Sequence, residues 1–144
     1  MSATTATVGA TTNHLTADAE PRSWTEQTWD GRDHSGVTGP KRTTGAMTAT
    51  YRGALEGEGE TRFLMAYPDD ASCTMLGHEL LTATLDGRRG TLVLEHVGGY
   101  RDGVATSTFT VVHAEGELAG LTGTGRITWP HGSAGRFELD YEIN

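Results

Sequence analysis

From about residue 22 onward, apolar and polar residues alternate along the chain in segments cut by Gly, Asp and Pro. The last segment is the plainest. Phe137, Leu139, Tyr141 and Ile143 share one parity, and Arg136, Glu138, Asp140 and Glu142 share the other. Successive strand residues point to opposite faces, so this pattern predicts a strand with one buried and one solvated face. Met47, Ala49, Tyr51 and Leu55 stand opposite Thr48, Thr50, Arg52 and Glu56 in the same way. Counting such runs gives strands near 22–30, 42–56, 60–67, 71–86, 90–101, 104–114, 121–130 and 134–143. Turns are expected at Gly57-Glu58-Gly59, Pro68-Asp69-Asp70, Asp86-Gly87, Asp102-Gly103, Glu115-Gly116 and His131-Gly132. Asp-Gly favours the primed turns of antiparallel hairpins. No segment carries an i, i+3, i+4 stripe, although Gly116 to Leu121 has room for one helical turn.

With no helix to cover them, two-faced strands must find a second layer or close on themselves. The expected fold is therefore all-β: a closed, eight-stranded antiparallel up-and-down barrel, which also removes exposed sheet edges. Its interior is either filled by side chains or holds one small ligand. A two-sheet sandwich is the alternative. Residues 1–20 are rich in Thr and Ala without a periodic apolar face and read as a flexible leader. Residues 21–144 read as a single barrel domain, long enough to bury a core without disulfides or metal.

Charge and cysteine content narrow the function classes. The net charge is −8, from 11 Lys+Arg against 19 Asp+Glu. That balance argues against nucleic-acid binding, which rests on basic side chains. No run approaches the ~18 apolar residues of a membrane span. The start lacks both a basic n-region and an apolar h-region. With Cys73 the single cysteine, a cytoplasmic protein is expected.

One residue breaks the apolar face of its strand. Between Ala71 and Leu85 the odd positions are Ala71, Cys73, Met75, Gly77, Glu79, Leu81, Ala83 and Leu85. A carboxylate placed there must be paired, hydrogen-bonded or neutralised. Glu79 is thus either a structural carboxylate held by a neighbouring Tyr, Trp or Arg, or a general acid or base with its pKa raised by desolvation. Tyr67 and His96 are its expected partners in proton transfer. Trp24, Tyr51, Phe63, Met65, Met75, Phe109 and Tyr141 lie on apolar parities, as a filled core or as the lining of an apolar pocket. His78-Glu79-Leu80-Leu81-Thr82 begins like the zinc-protease helix motif, but Thr82 replaces the second histidine and the segment reads as a strand. No metal is expected. No P-loop, Gly-x-Ser-x-Gly elbow or dinucleotide fingerprint opens a helix, so no cofactor is expected either.

From about Trp24 onward the chain resembles an uncharacterised bacterial family of small allene-oxide-cyclase-like barrel proteins. The likeness is carried by Tyr51-Arg-Gly-Ala-Leu-Glu-Gly-Glu-Gly59, Leu64-Met-Ala-Tyr67 and Asp86-Gly-Arg-Arg-Gly-Thr-Leu-Val-Leu-Glu-His96, continuing through Leu118-Ala-Gly-Leu-Thr-Gly-Thr-Gly125 and Leu139-Asp-Tyr141. The resemblance implies a closed β-barrel and, from the wider superfamily, cofactor-free cyclases. The expected function is a cofactor-independent cyclase or isomerase that folds an apolar, polyene-like molecule in the lumen, in a bacterial secondary-metabolite pathway. The alternative is a non-catalytic barrel that binds a small hydrophobic ligand or is purely structural. A homo-oligomer is also expected, because small barrels with exposed rims associate.

Overall fold

Alternation and turn chemistry together specify the elements of the computed structural model, which describes residues 12–130 and 133–143. The strands are β1 Asn13–Thr28, β2 Lys41–Gly53, β3 Leu55–Asp69, β4 Ser72–Leu85, β5 Arg88–Arg101, β6 Val104–Gly116, β7 Thr122–Pro130 and β8 Gly135–Glu142, with one short 3-10 turn at His34–Gly36. Each strand pairs antiparallel with its neighbours in sequence, and β1 also pairs with β8. Eight antiparallel strands therefore stand in a ring rather than in the two layers of a sandwich. At two hairpins both turn residues adopt left-handed backbone, Asp86-Gly87 with φ of 51° and 76° and Asp102-Gly103 with φ of 53° and 81°. That is the primed-turn geometry whose twist suits the flanking strands.

Two expectations change. The chain enters the ring well before residue 21, since Asn13 to Ala19 pair with β8 from Tyr141 to Gly135, and Ala17 onward also pairs with β2. Leu15, Ala17 and Ala19 supply the apolar parity that anchors this segment. The remaining part of the expected leader, residues 1–11, lies outside the described residues, as does the expected His131-Gly132 turn. The second change concerns Gly57-Glu58-Gly59, which is not a turn. It continues β3, and the reversal falls instead at Gly53, whose φ is 133°. A Cβ at Gly57 would meet the Thr82 carbonyl oxygen at 2.0 Å, so this glycine permits close strand approach.

The odd parity of β4 faces inward, as the pattern required, with Cys73, Met75, Glu79, Leu81, Ala83 and Leu85 all buried. One end of the ring is filled. There Leu55, Leu85, Leu92 and Leu139 pack with Leu118 and Leu121, which the β6–β7 connection folds across the opening. The opposite end carries the β1–β2 loop and the β3–β4, β5–β6 and β7–β8 connections. It is not filled, and the site described next opens there. Among the described residues no helix is long and apolar enough to cross a membrane.

Candidate functional site

Inside the open end is a cavity of about 640 Å³. Trp24, Met47, Phe63, Met75, Tyr100 and Trp129 form most of its apolar wall, with Pro130, Ser133 and Ala134 at the mouth. Its inner surface is polar at one place. There Tyr51, Thr61, Glu79, His96 and Ser107 come from five consecutive strands, β2 to β6. Each lies on the inward parity of its strand, so the alternation that builds the core also delivers these groups to the lumen.

They form a hydrogen-bonded chain. The Tyr51 hydroxyl donates to Glu79 Oε2 at 2.6 Å. Glu79 Oε1 lies 2.8 Å from His96 Nε2, and His96 Nδ1 lies 2.8 Å from Ser107 Oγ. Glu79 is 1% exposed, and the others are as deeply buried. Burial pushes the Tyr51 hydroxyl well above its ordinary pKa, and the Glu79 charge pushes it further the same way. Tyr51 therefore keeps its proton and acts as a donor. With Glu79 as carboxylate, His96 donates from Nε2, and its Nδ1 accepts the Ser107 hydroxyl proton. With imidazolium instead, Nδ1 donates to Ser107. The chain thus accommodates a proton at His96 without rearranging heavy atoms.

Room for this chain is made by a glycine. A Cβ at Gly59 would stand 2.1 Å from Glu79 Oε2 and 2.9 Å from Tyr51 Cε1. Aromatic rings support it from below. Phe109 packs against His96 with ring centroids 5.3 Å apart, and it stacks on Phe137 at 5.1 Å. Phe137 in turn meets Tyr51 edge-on at 5.2 Å.

Glu79 and His96 are therefore brought together as expected, but Tyr67 is not with them. Its hydroxyl donates instead to Glu26 Oε2 at 2.6 Å, in a second buried cluster nearer the rim. The reason is height along β3. Tyr67 pairs with Lys41 at the open end, whereas Thr61 is the β3 residue directly opposite Glu79. Glu26 also accepts from Thr43 Oγ1 at 2.6 Å and from the Trp24 indole at 3.3 Å, and His34 Nδ1 lies 3.5 Å from its Oε1. Burial first, then the hydrogen bond to Glu26, pushes the Tyr67 hydroxyl far up.

Of the expected lining residues, Trp24, Tyr51, Phe63 and Met75 face the cavity. Met65 packs behind them with Cys73 and Met75. Phe109 lies under His96, and Tyr141 packs against the core near the filled end. Burial pushes the Cys73 thiol up, which fits a core thiol rather than a nucleophile. Sequence reasoning missed Ser107, Thr43 and Glu26. Glu26 had a signal, since it shares parity with Trp24 and Thr28 on β1 just as Glu79 does with its neighbours. Ser107 had none, because a serine fits either face of a strand. Among the described residues, no group of three or more His, Cys, Asp or Glu side chains is placed to hold a metal ion.

Comparison with known proteins agrees with this architecture. The crystal structure of a protein of unknown function from the DUF3224 family of Shewanella oneidensis MR-1 is similar, with a TM-score of 0.74 and 26% sequence identity. The similarity covers 93% of this chain and 99% of that one. No curated protein matches the chain. The profile of DUF3224, a family of proteins of unknown function, matches residues 15–141, and the chain belongs to that family.

Proposed function

We propose that the open end of the ring binds a small, apolar, uncharged molecule and moves a proton on it without a cofactor, as an isomerase or cyclase would. The observation that carries this reading is the buried Tyr51–Glu79–His96–Ser107 chain on the wall of an otherwise apolar cavity. Apolar cavities with a few convergent polar groups are the usual form of a small-molecule site. The composition of the lining supports an uncharged ligand. It includes two carboxylates, Glu20 and Glu79, and neither Lys nor Arg. An anionic ligand would enter a low-dielectric space with no Lys or Arg among the described lining residues to meet it, at a high desolvation cost. A ketone, alcohol or polyene of modest size avoids that cost.

In such a site His96 accepts a proton from an acidified C–H or O–H of the ligand, directly or through Ser107. Glu79 stabilises the resulting imidazolium through Nε2. Tyr51 fixes the Glu79 carboxylate by holding its second oxygen. Trp24, Phe63 and Trp129 restrict the ligand's folded shape, the contribution that orientation makes to a cyclisation. A kinship with allene-oxide-cyclase-like barrels belongs to this proposal and accords with it.

A second reading is ligand binding without chemistry. It is favoured by the fact that both Glu79 oxygens and both His96 nitrogens already have protein partners. One experiment separates the two. The polyene ketone β-ionone is titrated calorimetrically and then incubated with the protein in D2O, with NMR reading deuterium entry at carbons next to the carbonyl. Binding with exchange, lost in Ser107→Ala and His96→Gln while binding persists, supports proton transfer. Binding with exchange no faster than in buffer leaves the binding reading alone. No binding by β-ionone or by an aromatic ketone of similar size overturns both.

A further inference from the structure

Exposed apolar side chains occur singly on β6, at Val104 and Val112, whereas a contiguous apolar row lies across β3, β4 and β5. There Leu64 pairs directly with Leu76, and Leu76 with Val97, in one row across the three strands. These side chains are 51%, 56% and 53% exposed. Leu80, half exposed, extends the patch along β4. Contiguous apolar rows of this kind on a folded surface mark contact sites.

The charges around the patch indicate what covers it. The next row toward the filled end reads Arg62, His78, Glu95 from β3 to β5. Further along, another row reads Glu56, Thr84, Arg89. At the open end a third reads Asp69, Ser72, Arg101. In every one of these rows, β3 and β5 carry opposite signs.

We propose that this face binds a second copy of the same chain, in a two-fold dimer whose axis runs along β4. In a two-fold contact, if one residue touches another, the reverse contact is made as well. An axis along β4 lays β3 of one copy on β5 of the other and keeps the rows aligned. Leu76 then meets the partner's Leu76, and Leu64 meets the partner's Val97. Arg62 meets the partner's Glu95, Glu56 the partner's Arg89, and Asp69 the partner's Arg101. Of the charged residues on the outer face of β3, only Glu58 and Glu60 face uncharged residues, the partner's Thr91 and Val93. An axis across the strands instead would stack each strand on itself, and no row would find its complement. The curvature of the ring puts the β4 leucines at the centre of the contact, while the long Arg and Glu side chains span the diverging flanks. This arrangement resembles the aligned packing of two sheets face to face.

Charge exchange tests the orientation as well as the contact. Within one chain Arg62 and Glu95 are separated by β4, about 10 Å apart across two strand spacings, so they do not pair in the monomer. Sedimentation equilibrium on the full chain is expected to show a dimer. Arg62→Glu and Glu95→Arg should each weaken it about ten-fold or more, since each reversal creates two like-charge contacts per dimer. The double variant Arg62→Glu/Glu95→Arg should restore parental affinity, and Leu76→Asp should give monomer. All three positions are on the surface, and circular dichroism of each variant confirms that the ring is intact. A parent chain that stays monomeric at its highest soluble concentration overturns the proposal. A double variant as weak as the single ones also overturns it.

Discussion

A Cβ at Gly59 would overlap the Glu79 carboxylate and crowd the Tyr51 ring, so a single methyl group reports on how tightly the polar chain is held. Gly59→Ala must push the carboxylate away from a position fixed on both oxygens. Overpacking of this kind costs about 1–3 kcal/mol. Tyr51→Phe removes the donor and leaves Oε2 buried without a partner, which costs about 1–3 kcal/mol as well. Urea unfolding should give losses of that size for each variant. In the double variant the loss should be smaller than the sum, because both act on the same carboxylate. Full additivity would mean that Gly59 does not serve the Tyr51–Glu79 bond.

Among the elements, the outcome depended on what alternation can and cannot say. The inward parity of β4 was legible because Cys73, Met75, Leu81, Ala83 and Leu85 agree with Glu79 on a face, and the two Asp-Gly hairpins were legible from their left-handed requirement. The start of β1 was not, since Leu15, Ala17 and Ala19 are mostly small residues whose burial comes from strands β2 and β8, far away in sequence. Gly57 and Gly59 misled for a related reason. A glycine that makes room and a glycine that makes a turn look the same until the neighbouring strand is in place. The partners of Glu79 were half legible: parity alone places a residue on a face, whereas its height in the ring depends on register. The β6–β7 connection makes a prediction of its own. Leu118 is fully buried in a segment with one turn of structure and closes the filled end. Leu118→Ala should cost about 2–5 kcal/mol, the range for deleting a buried leucine side chain, and thermal unfolding should register it. A near-neutral effect would show that the end is closed by the strands alone.

For the molecule as a whole, the buried Tyr51 and the half-buried Tyr67 set an alkaline limit. Tyr51 and Tyr67 both have folded pKa values raised above the ordinary tyrosine value, through burial first and then through Glu79 and Glu26. An unfolded chain ionises its tyrosines near pH ~10, while the folded ring keeps these two protonated. Their stabilising contribution is therefore complete below that pH and declines as pH rises above it. Unfolding free energy measured from pH 8 to 11 should fall above pH ~10, and the fall should be shallower in Tyr67→Phe. An unchanged slope in that variant would assign the alkaline limit to other groups. The ring also has an asymmetry with a consequence for solubility. The pairing of β8 with β1 ends at Gly135 and Ala19, so among the described residues β1 from Glu20 to Glu26 pairs in the sheet with β2 alone, before Gln27 bridges to Asp33. Unpaired backbone of this sort is a template on which foreign strands can polymerise. Pro21 offers no amide hydrogen there, the register slips between Pro21 and Ser23, and Glu20 and Arg22 place charge on either side. The stretch that leaves the cavity open is thereby a poor seed for aggregation, and its safeguard is concentrated in three residues.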